Sequence, residues 1–172
     1  MDFKEKIAII EDFPKKGISF KDITPLIGDG PAFKLLIDTM AEKLRKLGVD
    51  YIAGPEARGF IFGVPLAYAM EIGFIPIRKP GKLPQETVSI SYDLEYGQDT
   101  LEIHKNAFKK GDRVALVDDL LATGGTISAC AKLIEQAGGE VVSIDFMIEL
   151  TELHGRDKLE GYHVESMVQY DI

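Results

Sequence analysis

The stretch "ALVDDLLATGGT", Ala115 to Thr126, decides how the rest of this chain is read. It opens as a short continuous apolar run of the kind that builds a buried strand. Two adjacent carboxylates, Asp118 and Asp119, follow, and Thr-Gly-Gly-Thr closes it. Ala122 to Thr126 thus lie between a strand and a helix predicted from about Ile127 to Ala137. Unpaired N–H groups and the helix dipole favour an anion there. Gly124 and Gly125 let the backbone come close to such an anion, and Thr123 and Thr126 add hydroxyl donors. A phosphate monoester suits the turn. The Walker pattern needs a Lys after its second Gly and the dinucleotide fingerprint needs G-x-G-x-x-G, and neither stands here. Carboxylates beside a phosphate must face something else, because like charges repel. Sugar hydroxyls or a metal ion satisfy them, and a ribose 5-phosphate offers both chemistries in one molecule.

Working outward, apolar strands alternate with helical segments. "VDYIAG" and "FIPI" read as strands on either side of the apolar helical segment "FIFGVPLAYAMEIG", and "RVALV" and "VVSIDFMI" flank the helix after the Thr-Gly-Gly-Thr turn. This rhythm predicts an α/β fold with a mainly parallel sheet flanked by helices, binding ligands at the carboxyl ends of its strands. "GDGP" introduces a further helix with Pro31 in its first turn, an apolar stripe from Phe33 to Leu47, and Gly48 at its end. Phe3, Ile7 and Ile10 fall at helical spacing within residues 2–12, and "FPKKGISF" then leads into a short extended piece. From Gly81 to Asn106 the rhythm breaks, and "TVSISY" and "TLEIH" predict a hairpin around "DLEYGQD". A long excursion between sheet strands is usually functional, so this one reads as a lid.

Composition bounds the partners. With 172 residues, 45% of them hydrophobic, the chain suits one domain spanning 1–172, with a small N-terminal flap and about 81–106 as the lid. A formal net charge of −8 argues against nucleic acid or an anionic membrane as the main partner. The start lacks the long apolar core and cleavage site of a signal peptide, and a single cysteine, Cys130, excludes an internal disulfide, so a cytoplasmic location is expected. Three scattered histidines offer no zinc spacing.

Several basic and acidic residues stand out locally. "AGPEARG" follows a strand, and its backbone N–H groups with Arg58 suit a second anion. "RKPGK" sets Arg78, Lys79 and Lys82 within five positions, a basic patch for diphosphate oxygens and leaving-group charge. "GISFKD" places Phe20 where an aromatic face can stack on a base.

Taken together these motifs resemble those of the purine and pyrimidine phosphoribosyltransferase family, in the form carried by its adenine-specific members. "VALVDDLLATGGT" resembles the family's ribose-5-phosphate signature. "FPKKGISFKDITPLI", "YIAGPEARGFIFGVP", "RKPGKLP" and "SYDLEYG" match further motifs in order, and "ELTELHGRDKL" is similar to the family's ending. The resemblance implies a type I phosphoribosyltransferase fold, with about 1–30 as an N-terminal hood over adenine, and a pentosyl transfer from phosphoribosyl pyrophosphate to adenine, giving AMP and pyrophosphate in purine salvage. Mg²⁺ would arrive on the substrate, with Asp118 as a contact and no direct protein ligand set. It assigns Asp118, Asp119 and Ala122 to Thr126 (with Thr123, Gly124 and Gly125) to the phosphoribosyl group. Arg58, Arg78, Lys79 and Lys82 fall to pyrophosphate, and Ser19, Phe20 and Lys21 to adenine, the flanking pair through main-chain contacts. Glu95 aligns with the lid acid that assists proton transfer, Tyr96 with its neighbouring tyrosine, and Glu56–Ala57 with a cis peptide. A homodimer is implied as well. Two other readings stay open at this point: a transferase for hypoxanthine, guanine, xanthine or orotate, and a non-enzymatic sensor of phosphoribosyl pyrophosphate, which should carry a basic DNA-binding face.

Overall fold

The computed structural model describes residues 1–94 and 96–171. The N-terminus starts with a short 3₁₀ turn, Phe3–Lys6, capped by the Asp2 carboxylate, which accepts the Lys4 N–H at 2.9 Å. Two strands follow, β1 (Ala8–Glu11) and β2 (Ser19–Asp22), paired antiparallel so that Ile10 stands opposite Phe20. The helical spacing of Phe3, Ile7 and Ile10 is therefore only half realised. Phe3 and Ile7 enter the core, but Ile10 is exposed on β1, because the β-branched Ile9–Ile10 pair finds a partner strand in β2. A short helix, α1 (Thr24–Ile27), leads to α2 (Gly30–Arg45), with Asp29 accepting the Ala32 N–H at its start and Pro31 in its first turn. α2 ends at Arg45, and the chain then turns to Gly48, whose φ of +65° lets it leave toward the sheet.

The expected alternation follows. β3 (Tyr51–Pro55), α3 (Arg58–Met70) and β4 (Gly73–Ile77) form one βαβ unit. The hairpin β5 (Thr87–Asp93) and β6 (Gln98–His104) forms its own two-stranded sheet. β7 (Arg113–Leu121), α4 (Gly125–Gln136), β8 (Glu140–Leu150) and β9 (Val164–Tyr170) complete the chain, with two 3₁₀ turns, Thr151–Leu153 and Gly155–Leu159, between β8 and β9. The main sheet has the order β4-β3-β7-β8-β9 and every pairing in it is parallel.

β7 is buried on both faces, as a central parallel strand must be. Ala115 and Val117 face a core built with α2 and α3, whereas Val114 and Leu116 face a second core built with α4 and the hairpin. The strand order reverses between β3 and β7, since β3 is followed in the chain by β4 on one side and, later, by β7 on the other. Such a switch point opens a crevice at the carboxyl ends of the two strands. The Thr-Gly-Gly-Thr turn leaves β7 at that end, and the Glu56–Arg58 turn leaves β3 beside it.

Candidate active site

The crevice holds a cavity of about 300 Å³, lined by the Glu56–Arg58 turn and by residues 118–127. On one side Gly124, with a φ of +85°, swings the chain from β7 into α4. That glycine is required twice over, by its left-handed backbone and by space: a Cβ there would stand 2.5 Å from the Gly155 carbonyl oxygen. Ser128 N–H is the first to bond back into the helix, to the Gly124 carbonyl at 3.0 Å. The N–H groups of the turn ahead of it are thus left for an anion. Thr123 and Thr126 are exposed at the mouth, and the Thr126 hydroxyl lies 3.3 Å from the Tyr92 hydroxyl of the hairpin.

Asp118 and Asp119 sit beside this turn but in different settings. Asp119 is buried, and its Oδ2 pairs with Arg58 Nε at 2.9 Å. Asp118 keeps part of its surface on the cavity while protein encloses the rest, and one of its oxygens accepts the Asp119 N–H at 2.8 Å. Burial, and then the charge of Asp119, push the Asp118 carboxyl well above the usual carboxylate range, with its N–H bond from Asp119 pulling the other way. A carboxyl so placed gains from a ligand hydroxyl or cation that replaces lost solvation. Among the described residues no group of three or more His, Cys, Asp and Glu side chains is set to hold a metal. Two carboxylates without a cage fit Mg²⁺ that is held mainly by substrate phosphates.

On the other side of the cavity the Glu56–Ala57 peptide is cis, as the resemblance implied. The sequence marks Glu56 only for its cis peptide, yet its side chain organises the basic segment: its Oε1 accepts the Lys79 N–H at 2.8 Å and Arg78 Nε at 3.2 Å. The Lys79 N–H, more than any other group, holds the Glu56 carboxyl below its ordinary range. The Lys79 ammonium pairs with Asp99 of β6, and it keeps Asp99 low in turn. Lys82 is exposed. Glu102 anchors the same segment to β6, accepting from Gly81 N–H at 2.9 Å and from the Thr87 hydroxyl. Three carboxylates distant in sequence, Glu56, Asp99 and Glu102, therefore shape the basic patch, and only their contacts in the fold reveal it.

The N-terminal sheet carries a separate, mostly apolar cavity of about 260 Å³ lined by Ile10, Phe13, Phe20 and Asp22. Phe13 meets Phe20 edge to face at 5.2 Å between ring centroids. Ser19 and Lys21 point away from this cavity by strand alternation: Lys21 Nζ donates to the Ser19 hydroxyl at 2.7 Å and lies 5.0 Å over the Tyr170 ring. Tyr96 is exposed at the hairpin tip, and Glu95 lies outside the described residues.

A model of the phosphoribosyl transferase domain matches residues 26–169. The chain belongs to the phosphoribosyltransferase family. Within that family it is similar to the adenine phosphoribosyltransferase of Clostridium perfringens, with 67% identity over 172 residues that cover all of both chains. Two solved adenine phosphoribosyltransferases share its fold. The one from Thermoanaerobacter pseudethanolicus is 58% identical, with a TM-score of 0.93 over 98% of each chain. The one from Saccharomyces cerevisiae is 40% identical, with a TM-score of 0.90 over 96% of each chain, and was solved with adenine and an imino-altritol bisphosphate. The phosphoribosyltransferase fold, a parallel sheet flanked by helices, is the one expected from the strand and helix rhythm. The chain is thus a pentosyltransferase of the adenine phosphoribosyltransferase type.

Proposed function

We propose that this protein makes AMP and pyrophosphate from adenine and phosphoribosyl pyrophosphate, in purine salvage, with the work divided along the crevice. One observation carries the reading: an anion-ready turn with two adjoining carboxylates faces an arginine-bearing turn across one cavity at the sheet's switch point. Ala122 to Thr126 hold the 5-phosphate through N–H groups and hydroxyls. Asp118 and Asp119 hold the ribose hydroxyls, which draw on the carboxylate that burial leaves poorly solvated. Arg58, Arg78, Lys79 and Lys82 take the pyrophosphate. Mg²⁺ carried by the substrate would meet Asp118 and would add neutralisation of the leaving-group charge.

In the transfer, the bond from C1′ to the pyrophosphate oxygen breaks as adenine N9 bonds to C1′. Positive charge develops on the ribose ring and negative charge on the departing diphosphate, where the basic segment is placed to stabilise it. N9 gives up its proton to Glu95, which falls between β5 and β6 in the sequence, while that hairpin closes as the lid and Tyr96 helps exclude water. Phe20, edge-on to Phe13, supplies the face on which adenine stacks under the hood, with main-chain groups of Ser19 and Lys21 at its edge. A homodimer, implied by the family resemblance, is part of the same reading. The buried, lone Cys130 suits a cytoplasmic protein.

Pyrophosphate release with Mg²⁺ and phosphoribosyl pyrophosphate tests this, comparing adenine with hypoxanthine, guanine, xanthine and orotate in the wild type and in Glu95→Gln. Turnover with adenine alone, reduced by about 10²–10⁴ in the variant, is the expected result. Tight binding of phosphoribosyl pyrophosphate with no turnover on any base would replace the enzyme reading with a sensor.

A further inference from the structure

The segment Gly155–Leu159, the "GRDKL" at the end of the family-like C-terminal run, has no part in the division of labour given above. It nevertheless lies under the phosphate turn. A Cβ on Gly155 would overlap the Ala122 carbonyl oxygen, and the Gly155 carbonyl in turn sits where a Cβ on Gly124 would need to be. The two backbones are therefore in contact, one supporting the other.

Its neighbour Arg156 is clamped. Its Nε and one terminal nitrogen donate to the two oxygens of Glu149 at 2.7 and 2.9 Å, and the other terminal nitrogen donates to the Val164 carbonyl at 3.1 Å. Glu149 is itself buried at the end of β8 and accepts from the Ser166 hydroxyl at 2.7 Å. A bidentate pair of this kind fixes orientation as well as distance. The main chain of the segment is thus held from below by β8 and from above by the turn.

Lys158 projects from this fixed segment. Its ammonium stands 3.7 Å from where a Cβ on Gly125 would lie, and it lines the cavity that Thr123, Gly125 and Thr126 share with Tyr92 and Asp93 of the hairpin. It is exposed and has no ion-pair partner among the described residues, unlike Arg58, Arg78 and Lys79, which are already paired with carboxylates. The turn has N–H groups and hydroxyls but no full positive charge, while Asp118 and Asp119 beside it repel a dianion. A cation next to Gly125 answers that repulsion.

We infer that Lys158 is a further binding residue of the phosphoribosyl site, its ammonium placed to meet the 5-phosphate beside Gly125, while Gly155 and Arg156 act as positioning residues that fix where it stands. The inference rests on the reading of Ala122 to Thr126 as the 5-phosphate turn. A role confined to latching the hairpin through Asp93 is the competing assignment.

Calorimetric titration of ribose 5-phosphate and, separately, of pyrophosphate into the wild type, Lys158→Ala and Lys158→Arg distinguishes them. Lys158→Ala should weaken ribose 5-phosphate by about tenfold, Lys158→Arg should restore most of that, and pyrophosphate should bind all three alike. In turnover, the KM for phosphoribosyl pyrophosphate should rise in Lys158→Ala with kcat nearly unchanged. Unchanged ribose 5-phosphate affinity in Lys158→Ala, or equal weakening of both ligands, overturns the assignment. Failure of the wild type to bind ribose 5-phosphate while pyrophosphate still binds would overturn the 5-phosphate turn itself, and Lys158 with it.

Discussion

The two anion sites proposed along the crevice are built in opposite ways. At the proposed 5-phosphate end the donors are backbone N–H groups and hydroxyls fixed by a strand, a left-handed glycine and a helix start, and the Thr126 hydroxyl makes only a long contact, 3.3 Å, with the Tyr92 hydroxyl. At the pyrophosphate end the donors are flexible cations, and three of them already have partners: Arg58 with Asp119, Arg78 with Glu56, and Lys79 with Asp99. The first end is organised before ligand arrives. The second must exchange internal carboxylates for phosphate oxygens, so part of the attraction is offset by pairs that are given up. Backbone donors cost no side-chain entropy on binding, whereas each long cation ordered on a ligand costs up to about 1.5 kcal/mol. The 5-phosphate end should therefore anchor the substrate, and the pyrophosphate end should tune it.

The largest effect should come from deforming the rigid end. Gly124→Ala puts a side chain on a left-handed residue and drives it against the Gly155 carbonyl, 2.5 Å away, so the turn has to move. A shift of about 1 Å in positioning groups is enough for a loss near a hundredfold, and that is the expected fall in kcat/KM. Ribose 5-phosphate affinity should fall with it while pyrophosphate affinity is kept. If both ligands are lost together, the two ends are one mechanical unit and the contrast between them fails.

A smaller effect probes the residue that joins the ends. Arg58, proposed above to take pyrophosphate, pairs with Asp119, proposed to hold the ribose, and the Asp119 side chain is only 8% exposed. Arg58→Gln removes a cation from the ligand and leaves a buried carboxylate without its partner. The KM for phosphoribosyl pyrophosphate should rise by about tenfold, the scale of one charged hydrogen bond, and thermal unfolding should shift downward. Ribose 5-phosphate affinity should change much less. An equal loss for ribose 5-phosphate would show that Arg58 serves mainly to hold Asp119 in place.

The same contrast explains what could be read from the chain. The rigid end is local: Ala115 to Thr126 carries strand, carboxylates, turn and helix start within one continuous stretch, so its periodicity and glycines announce it. The alternation of strands and helices likewise made the parallel sheet legible. The flexible end is assembled from distant pieces, and nothing near Lys79 marks Asp99 as its partner or Glu56 as the acceptor of its N–H. Nothing in the sequence around Gly155 marks its close approach to the Ala122 carbonyl across the fold. Ile10 misled for a related reason, since helical spacing over so few residues is outweighed by pairing with a strand ten residues on.

The smallest expected effect is the most direct test of the exchange at the pyrophosphate end. Asp99→Asn removes the charge that engages the Lys79 ammonium without touching the cavity-lining turns. Partly exposed ion pairs contribute about 0.2–1 kcal/mol, so freeing Lys79 should strengthen pyrophosphate binding by no more than about fivefold, measured by titration at low salt. The pair's pH dependence follows from the direction of its shift. Lys79 holds the Asp99 carboxyl below its ordinary value, so the pairing is fully present above the unfolded carboxyl's pKa and is lost only as pH falls through the lower folded value. The ratio of variant to wild-type affinity should accordingly be the same at pH 6 and pH 8. Tighter binding with a constant ratio means that Asp99 competes with the ligand for Lys79. Weaker binding means that Asp99 aims Lys79 at the ligand instead, and the pyrophosphate end would then be organised in advance just as the 5-phosphate end is.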